Sequence, residues 1–210
     1  MLKLLLTTAL ASSAAAMASA AAAGPIGDGP WTSVTPSISI QECAGGTVSG
    51  ETYTLPSDPN GSTEGSGCSN GHLRAESRVK NDYSSGAHQF GGTFTVASFG
   101  GDRVSLKQTF NGNDGGPWFM LAVDDSGRLY NVEGGDTIAD AGVAVVGASV
   151  RLNTVHDVEA GQLDIYVDGE HKYTVDSPGG SFYDKFGAYT TNSGSGPIEV
   201  TWTDVGFWTR

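Results

Sequence analysis

From Leu73 onward the chain is a succession of short stretches with apolar residues at alternate positions, each closed by residues that tolerate tight turns. A period of two over runs this short admits little besides antiparallel sheet. The expected strands are Leu73–Lys80, Gly91–Ser98, Val104–Phe110, Trp118–Asp124, Arg128–Val132, Val150–His156, Gln162–Val167, His171–Val175, Lys185–Thr190 and Ile198–Val205. Asp168-Gly169, between Leu163-Asp164-Ile165-Tyr166-Val167 and His171-Lys172-Tyr173, predicts a two-residue hairpin. Asp125-Ser126-Gly127 and Ser177-Pro178-Gly179-Gly180 mark further turns. The 31 glycines and the absence of a sustained helical period agree with many short strands.

At 210 residues the chain suffices for one sandwich-sized domain and is short for two. No internal repeat or second composition zone divides it. The expectation is an all-β domain, a β-jelly-roll sandwich of two antiparallel sheets, with the outer face of one sheet forming a groove for an extended chain.

Met1-Leu2-Lys3, the apolar stretch that begins at Leu4, and Ala18-Ser19-Ala20 fit a secretory signal over residues 1–20, with cleavage after Ala20 or Ala23. The domain would then occupy residues 24–210, and the protein would be extracellular. The alanine- and serine-rich stretch lacks the sustained hydrophobicity of a spanning helix, and no later segment could cross a membrane. Loss of Lys3 would take the formal charge from −12 to −13. Such a chain repels polyanions on average, which argues against nucleic acid as a partner. A small basic cleft within an acidic surface is a separate matter. Cys43 and Cys68 frame a Pro/Gly/Ser/Asn-rich segment, and one disulfide closing it as a loop is expected in an oxidising compartment. A metal-binding thiol lacks a CxxC or Cys/His cluster to support it. Asn60-Gly61-Ser62, in the same segment, is an N-glycosylation acceptor pattern.

Three segments bring chemistry to this frame: Gly71 to Lys80, Arg103 to Phe110, and Tyr183 to Thr190. Alternation in the first puts His72, Arg74, Glu76, Arg78 and Lys80 on one face, while Leu73, Ala75, Ser77 and Val79 pack inward. In the third, Lys185, Gly187, Tyr189 and Thr191 share a face opposite Phe186 and Ala188. The second breaks the rule, because Gln108 shares its parity with Leu106 and Phe110, and Lys107 is left pointing toward the core. A bulge or an edge position would resolve this. The plainer reading, a solvated ladder of charged pairs with half-buried tyrosines, applies to any of these residues singly. Their combination favours a site for a carboxylated sugar.

His72-Leu73-Arg74-Ala75-Glu76-Ser77-Arg78 resembles the Arg-x-Glu-x-Arg strand of the jelly-roll alginate lyases and the related fungal glucuronan lyases. Tyr183-Asp184-Lys185-Phe186-Gly187-Ala188-Tyr189 is similar to their Tyr-Phe-Lys-x-Gly-x-Tyr strand, and Lys107-Gln108-Thr109-Phe110 takes the place of their Gln-x-His strand. The order holds over most of residues 71–208. Alginate lyases of this type carry a histidine two residues after the glutamine, where this chain has Phe110. A histidine appears instead as His72, an arrangement similar to the glucuronan lyases. The resemblance therefore implies a lyase for β-1,4-glucuronan ahead of alginate.

Cleavage of a 1,4-linked uronan by β-elimination removes the C5 proton, stabilises the carbanion and expels the C4 oxygen. The resemblance implies that Gln108 and Arg74, assisted by His72, neutralise the carboxylate. Tyr189 would act as base and then acid, its pKa lowered by nearby cations. One phenol reaches both atoms in gluco- and manno-configured uronates, where they lie on one side; guluronate or galacturonate would need a separate base such as His72. Arg78 and Lys185 would bind neighbouring carboxylates and Glu76 would hold the arginines. The expected partner is an anionic polysaccharide, met by a monomer.

Other classes fit less well. No Glu-x-Asp-x-x-Glu strand supplies a hydrolase pair, and Gly-x-Ser-x-Gly, His-Glu-x-x-His and phosphate-loop patterns are absent from the sequence. Ser77 and Lys80 point to opposite faces of an alternating strand, and His88 and His156 lack partners at ligand spacing. No cofactor is required. A structural calcium is left open by the surface aspartates, although Asp124-Asp125-Ser126-Gly127 reads first as a turn. The competitor from another class is a non-catalytic sugar-binding module using Trp118, Tyr130 and Trp202 for stacking.

Overall fold

The computed structural model describes residues 24–190 and 195–210. The expected signal segment and Thr191 lie outside the described residues. In chain order the strands begin with β1 (Thr32–Val34), β2 (Ser37–Cys43), β3 (Thr47–Ser49), β4 (Thr52–Leu55) and β5 (Arg74–Lys80). They continue as β6 (Ala87–Phe99), β7 (Arg103–Asn111), β8 (Gly116–Asp124), β9 (Leu129–Asn131) and β10 (Thr137–Ala139). The last five are β11 (Ser149–Asp157), β12 (Gln162–Val167), β13 (Glu170–Asp176), β14 (Phe182–Tyr189) and β15 (Ile198–Thr209). Among the described residues there is no helix long and apolar enough to cross a membrane.

The strands form two antiparallel sheets. One runs β13-β12-β11-β6-β15-β4-β3, with β1 also paired to β15; the other runs β10-β9-β8-β7-β14-β5-β2. The fold is the expected jelly-roll sandwich. Between the sheets Phe90 and Trp202 from one side meet Phe186 from the other, with ring centroids 5.5 to 5.7 Å apart. Trp202 meets both phenylalanines edge-on, an arrangement that adds about 0.5–1.5 kcal/mol per pair to the gain from burial. Trp202 also donates its indole N–H to the Gly187 carbonyl at 3.2 Å, which ties β14 to the opposite sheet. Gly187 has φ +140°, and a Cβ there would run into the Ala75 carbonyl, so only glycine fits.

The Asp168-Gly169 hairpin joins β12 to β13 with φ of 51° and 84°, the double left-handed turn that matches strand twist. Asp124 caps the turn after β8, accepting from the backbone N–H of Ser126 and Arg128 and from Arg128 Nε at 2.9 Å. Its carboxylate is thus committed to the turn. The segment between the cysteines is more ordered than a loop, since it contains the β3–β4 hairpin paired onto β15. Cys43 and Cys68 form the expected disulfide. Strands β1 to β4 and β10 were not expected from the sequence.

In β7 a bulge resolves the parity conflict. Ser105 pairs with Ala122 and Lys107 with Leu121, so two residues of β7 span one step of β8, and Leu106 and Lys107 both face inward. Lys107 is fully buried, with Nζ 2.7 Å from Asp184 Oδ1 and 2.8 Å from Thr109 Oγ1. Gln108, one residue on, turns to the outer face.

Candidate active site

A cleft of about 330 Å3 opens on the outer face of the second sheet. Its floor is built from adjacent strands: Gln108 on β7, Lys185 and Tyr189 on β14, Arg74 and Arg78 on β5. The register places Tyr189 opposite Arg74, Gly187 opposite Glu76 and Lys185 opposite Arg78. One wall is the segment 66–70, which follows the β3–β4 hairpin and is anchored by the disulfide.

Glu76, only 1% exposed, is the hub of the floor. It accepts hydrogen bonds from Arg74 Nη1 and Gln108 Nε2, and Lys185 Nζ lies 3.8 Å away. One carboxylate thereby orients groups from three strands, which keeps two cations and an amide in place at low dielectric. Arg78 is held elsewhere, 3.0 Å from Asp82, so the expectation that Glu76 holds both arginines applies to Arg74 alone. Burial pulls the Lys185 ammonium down to about 8, with Glu76 opposing and the two arginines reinforcing the shift. Arg74 Nε is buried with no hydrogen-bond partner among the described residues, a donor left for an acceptor in the cleft.

Tyr189 Oη lies 2.7 Å from His72 Nδ1 and accepts from Asn70 Nδ2 at 3.0 Å. The Asn70 amide is oriented by its other end, where Oδ1 accepts the His72 backbone N–H at 3.2 Å. Asn70 fills one acceptor site on the phenol oxygen; with His72 in its Nε2–H tautomer, Nδ1 is the acceptor for the phenol proton. Burial and then Arg74 lower the His72 pKa, so the ring is neutral at neutral pH and can accept. The Arg74 guanidinium sits 4.0 Å from the Tyr189 ring centroid. The net effect on Tyr189 is the reverse of the sequence expectation: burial raises the phenol pKa, and Arg74 and Asn70 only oppose it. At rest the pair is neutral.

At the other end of the cleft Phe110 stacks on Tyr183 with centroids 4.9 Å apart, Arg78 lies 4.0 Å from the Tyr183 ring and Lys185 Nζ 4.5 Å from that of Phe110. These contacts hold both cations over aromatic faces. Trp118, Tyr130 and Trp202 form no stacking platform: Trp202 is in the core, Tyr130 is buried, and Trp118 spends its N–H on the Asp176 carbonyl. Among the described residues no group of three His, Cys, Asp or Glu could hold a metal ion.

The structure thus gathers Tyr189, Gln108, His72, Arg74, Arg78, Lys185 and Glu76 around one cleft. Lys80 stands exposed at the strand end, Ser77 bonds the buried Tyr53 hydroxyl at 2.9 Å, and Asn60 is exposed on the surface. His88 stacks on Tyr83, and His156 is a core histidine between Tyr83 and Ser177. Sequence reasoning missed Asn70 and Gln41. Asn70 sits two residues before His72 in what reads as a plain Ser-Asn-Gly turn. Gln41 was signalled only by the alternation of Ser37-Ile38-Ser39-Ile40-Gln41 leading into Cys43.

The architecture is that of a jelly-roll sandwich carrying a cation-lined cleft on one sheet, and comparison with solved structures places it among the alginate lyases in fold. An alginate lyase from Pseudomonas aeruginosa superposes with a TM-score of 0.60 at 16% identity, over 76% of this chain and 82% of that one. For an alginate lyase from Corynebacterium sp. the TM-score is 0.58 at 16% identity, covering 76% of each chain. The alginate lyase AlgAT5, of polysaccharide lyase family 7, gives 0.57 at 17% identity over 77% of this chain and 79% of that one. No protein-family model matches the chain. A citrate-binding protein from Hevea brasiliensis is 29% identical over 135 residues, 63% of this chain. The chain spans about half (54%) of the length of that relative.

Proposed function

We propose that the protein is a secreted polysaccharide lyase that cleaves a 1,4-linked polyuronate by β-elimination, with β-1,4-glucuronan as substrate ahead of polymannuronate. The observation that carries this reading is the Tyr189 hydroxyl, hydrogen-bonded to a neutral His72 beside a cleft lined by the cations Arg74, Arg78 and Lys185. The fold shared with alginate lyases agrees with it.

A carboxylate on the reacting sugar would meet Arg74 Nε and the second amide hydrogen of Gln108, the first being committed to Glu76. Neutralising it acidifies C5 and stabilises the enolate-like charge of the transition state. Tyr189 passes its proton to His72 Nδ1, and the phenolate, stabilised by Asn70 and Arg74, removes H5. As the C4–O4 bond breaks and the C4–C5 double bond forms, Tyr189 returns that proton to O4 and His72 restores the phenol proton. His72 then acts by accepting a proton rather than by bringing positive charge to the carboxylate. Phe110 brings no base to the other side of Gln108, which favours sugars whose H5 and O4 share a face. Arg78 and Lys185 would bind carboxylates of neighbouring residues.

The test is the ultraviolet absorbance of the unsaturated product when the purified protein is mixed separately with polyglucuronate, polymannuronate, polyguluronate and polygalacturonate. A rise with polyglucuronate supports the reading; a rise with polymannuronate alone makes it an alginate lyase. A second reading, a non-catalytic carboxylate-binding cleft, is favoured by the likeness to the citrate-binding protein. It predicts binding without absorbance change.

A further inference from the structure

Gln41 lies on β2 directly across from Glu76, on the face that carries the cleft, and its side chain lines that cleft. Only 6% of it is exposed. Nε2 donates to the Ser66 carbonyl at 2.9 Å, which fixes which way the amide points. The Gly67 backbone, with φ +82°, packs against this amide, and a Cβ there would come 2.5 Å from Nε2. Oε1 is left buried with no hydrogen-bond partner among the described residues. An oriented, unpartnered acceptor is costly to seal from water unless a ligand supplies a donor.

The chemistry of that donor is constrained by the rest of the cleft. Arg74, Arg78 and Lys185 are donors that serve carboxylates. An ionised carboxylate can only accept, so it has no use for Oε1. A ring hydroxyl can donate to it. The geometry points to Gln41 as a specificity-determining residue that accepts a hydrogen bond from a free ring hydroxyl of the bound uronate, and so selects unsubstituted sugar over sugar O-acylated at that position. This rests on the reading of the cleft as a uronate site.

The probes are tetrasaccharides of β-1,4-linked glucuronate and mannuronate, each free and O-acetylated on its ring hydroxyls. Affinity is measured by calorimetry in the Tyr189→Phe background, where nothing turns over. With Gln41 present the free sugar should bind about ten- to a hundredfold more tightly than its acetylated form. Gln41→Met should weaken the free sugar and shrink that ratio toward the residual steric penalty. Gln41→Glu keeps an acceptor but loses the Ser66 bond and adds charge, so it should weaken both sugars while leaving a ratio above that of Gln41→Met. A residue that merely pins the segment at Ser66 would move affinities without moving the ratio, and an unchanged ratio in Gln41→Met overturns the inference. If no tetrasaccharide, free or acetylated, binds even with Gln41 intact, the uronate reading itself fails and this inference falls with it.

Discussion

Lys107 Nζ lies 2.7 Å from Asp184 Oδ1, with both side chains sealed between the two sheets. Thr109 donates to the same carboxylate oxygen at 3.1 Å, and Nζ also reaches the Gln108 carbonyl at 3.2 Å. The pair lies directly behind the residues that line the cleft, Gln108 on β7 and Lys185 on β14. Removing one member leaves an unpaired buried charge. Lys107→Met should cost about 3–5 kcal/mol in urea unfolding, and Lys107→Met combined with Asp184→Leu should cost less than the single change.

His156 lies in the core with Tyr83 Oη 3.0 Å from Nδ1 and Ser177 Oγ 2.7 Å from Nε2. Burial holds its pKa at about 4, against an ordinary 6.5. As pH falls between those values the unfolded chain takes up a proton that the folded chain refuses. The stability is therefore fully present above the ordinary value and lost as pH drops toward 4, by about 3 kcal/mol. In His156→Asn the absolute stability should fall, and the part of the pH slope due to this ring should vanish from a urea-denaturation series.

Lys185 should set the alkaline limit of substrate capture. Its ammonium, brought down to about 8 chiefly by burial, loses its charge above that pH, so kcat/KM for a polyuronate should decline there. Lys185→Arg keeps its charge throughout, and its alkaline limb should lie at higher pH in the same profile.

Asn70 should act through Tyr189. Asn70→Ala removes a donor to the phenolate, and a phenolate-specific absorbance titration, taken as the difference from Tyr189→Phe, should show the Tyr189 pKa rising further. The accompanying fall in kcat should be about tenfold, the worth of one hydrogen bond to a charged group. Asn70→Asp should raise that pKa more, since it adds negative charge. An unmoved titration in both variants would show that Asn70 does not hold the phenol.

Much of this was legible because a half-buried strand reports its own faces. Arg74, Glu76 and Arg78 fall on one side of β5 by parity, with His72 two residues before the strand, and Asp168-Gly169 names its turn because each residue must take positive φ. At Leu106 the parity conflict was legible but not its resolution: a one-residue insertion reverses every later side chain, and only pairing with β8 decides for a bulge over an edge position. Strand β2 escaped notice despite its alternation, since Ile38 and Ile40 are 43% and 49% exposed and Gln41 on its other face is polar. Gln41 and Asn70 look like ordinary polar residues until the fold brings each to a partner more than 20 residues away in the chain, Ser66 for one and Tyr189 for the other. The direction of the Tyr189 shift also depends on burial, which neighbouring charges in the sequence do not report.

The most direct test compares wild type with Tyr189→Phe on the polymer that gives the largest absorbance rise, measuring turnover and affinity together. The phenol hydroxyl is the base and acid of the proposed elimination, while the carboxylate contacts of Arg74, Arg78 and Lys185 do not depend on it. Turnover should fall by about a hundredfold or more with affinity little changed. Turnover that survives in Tyr189→Phe, or binding to all four polymers with no absorbance change in the wild type, would contradict the assignment.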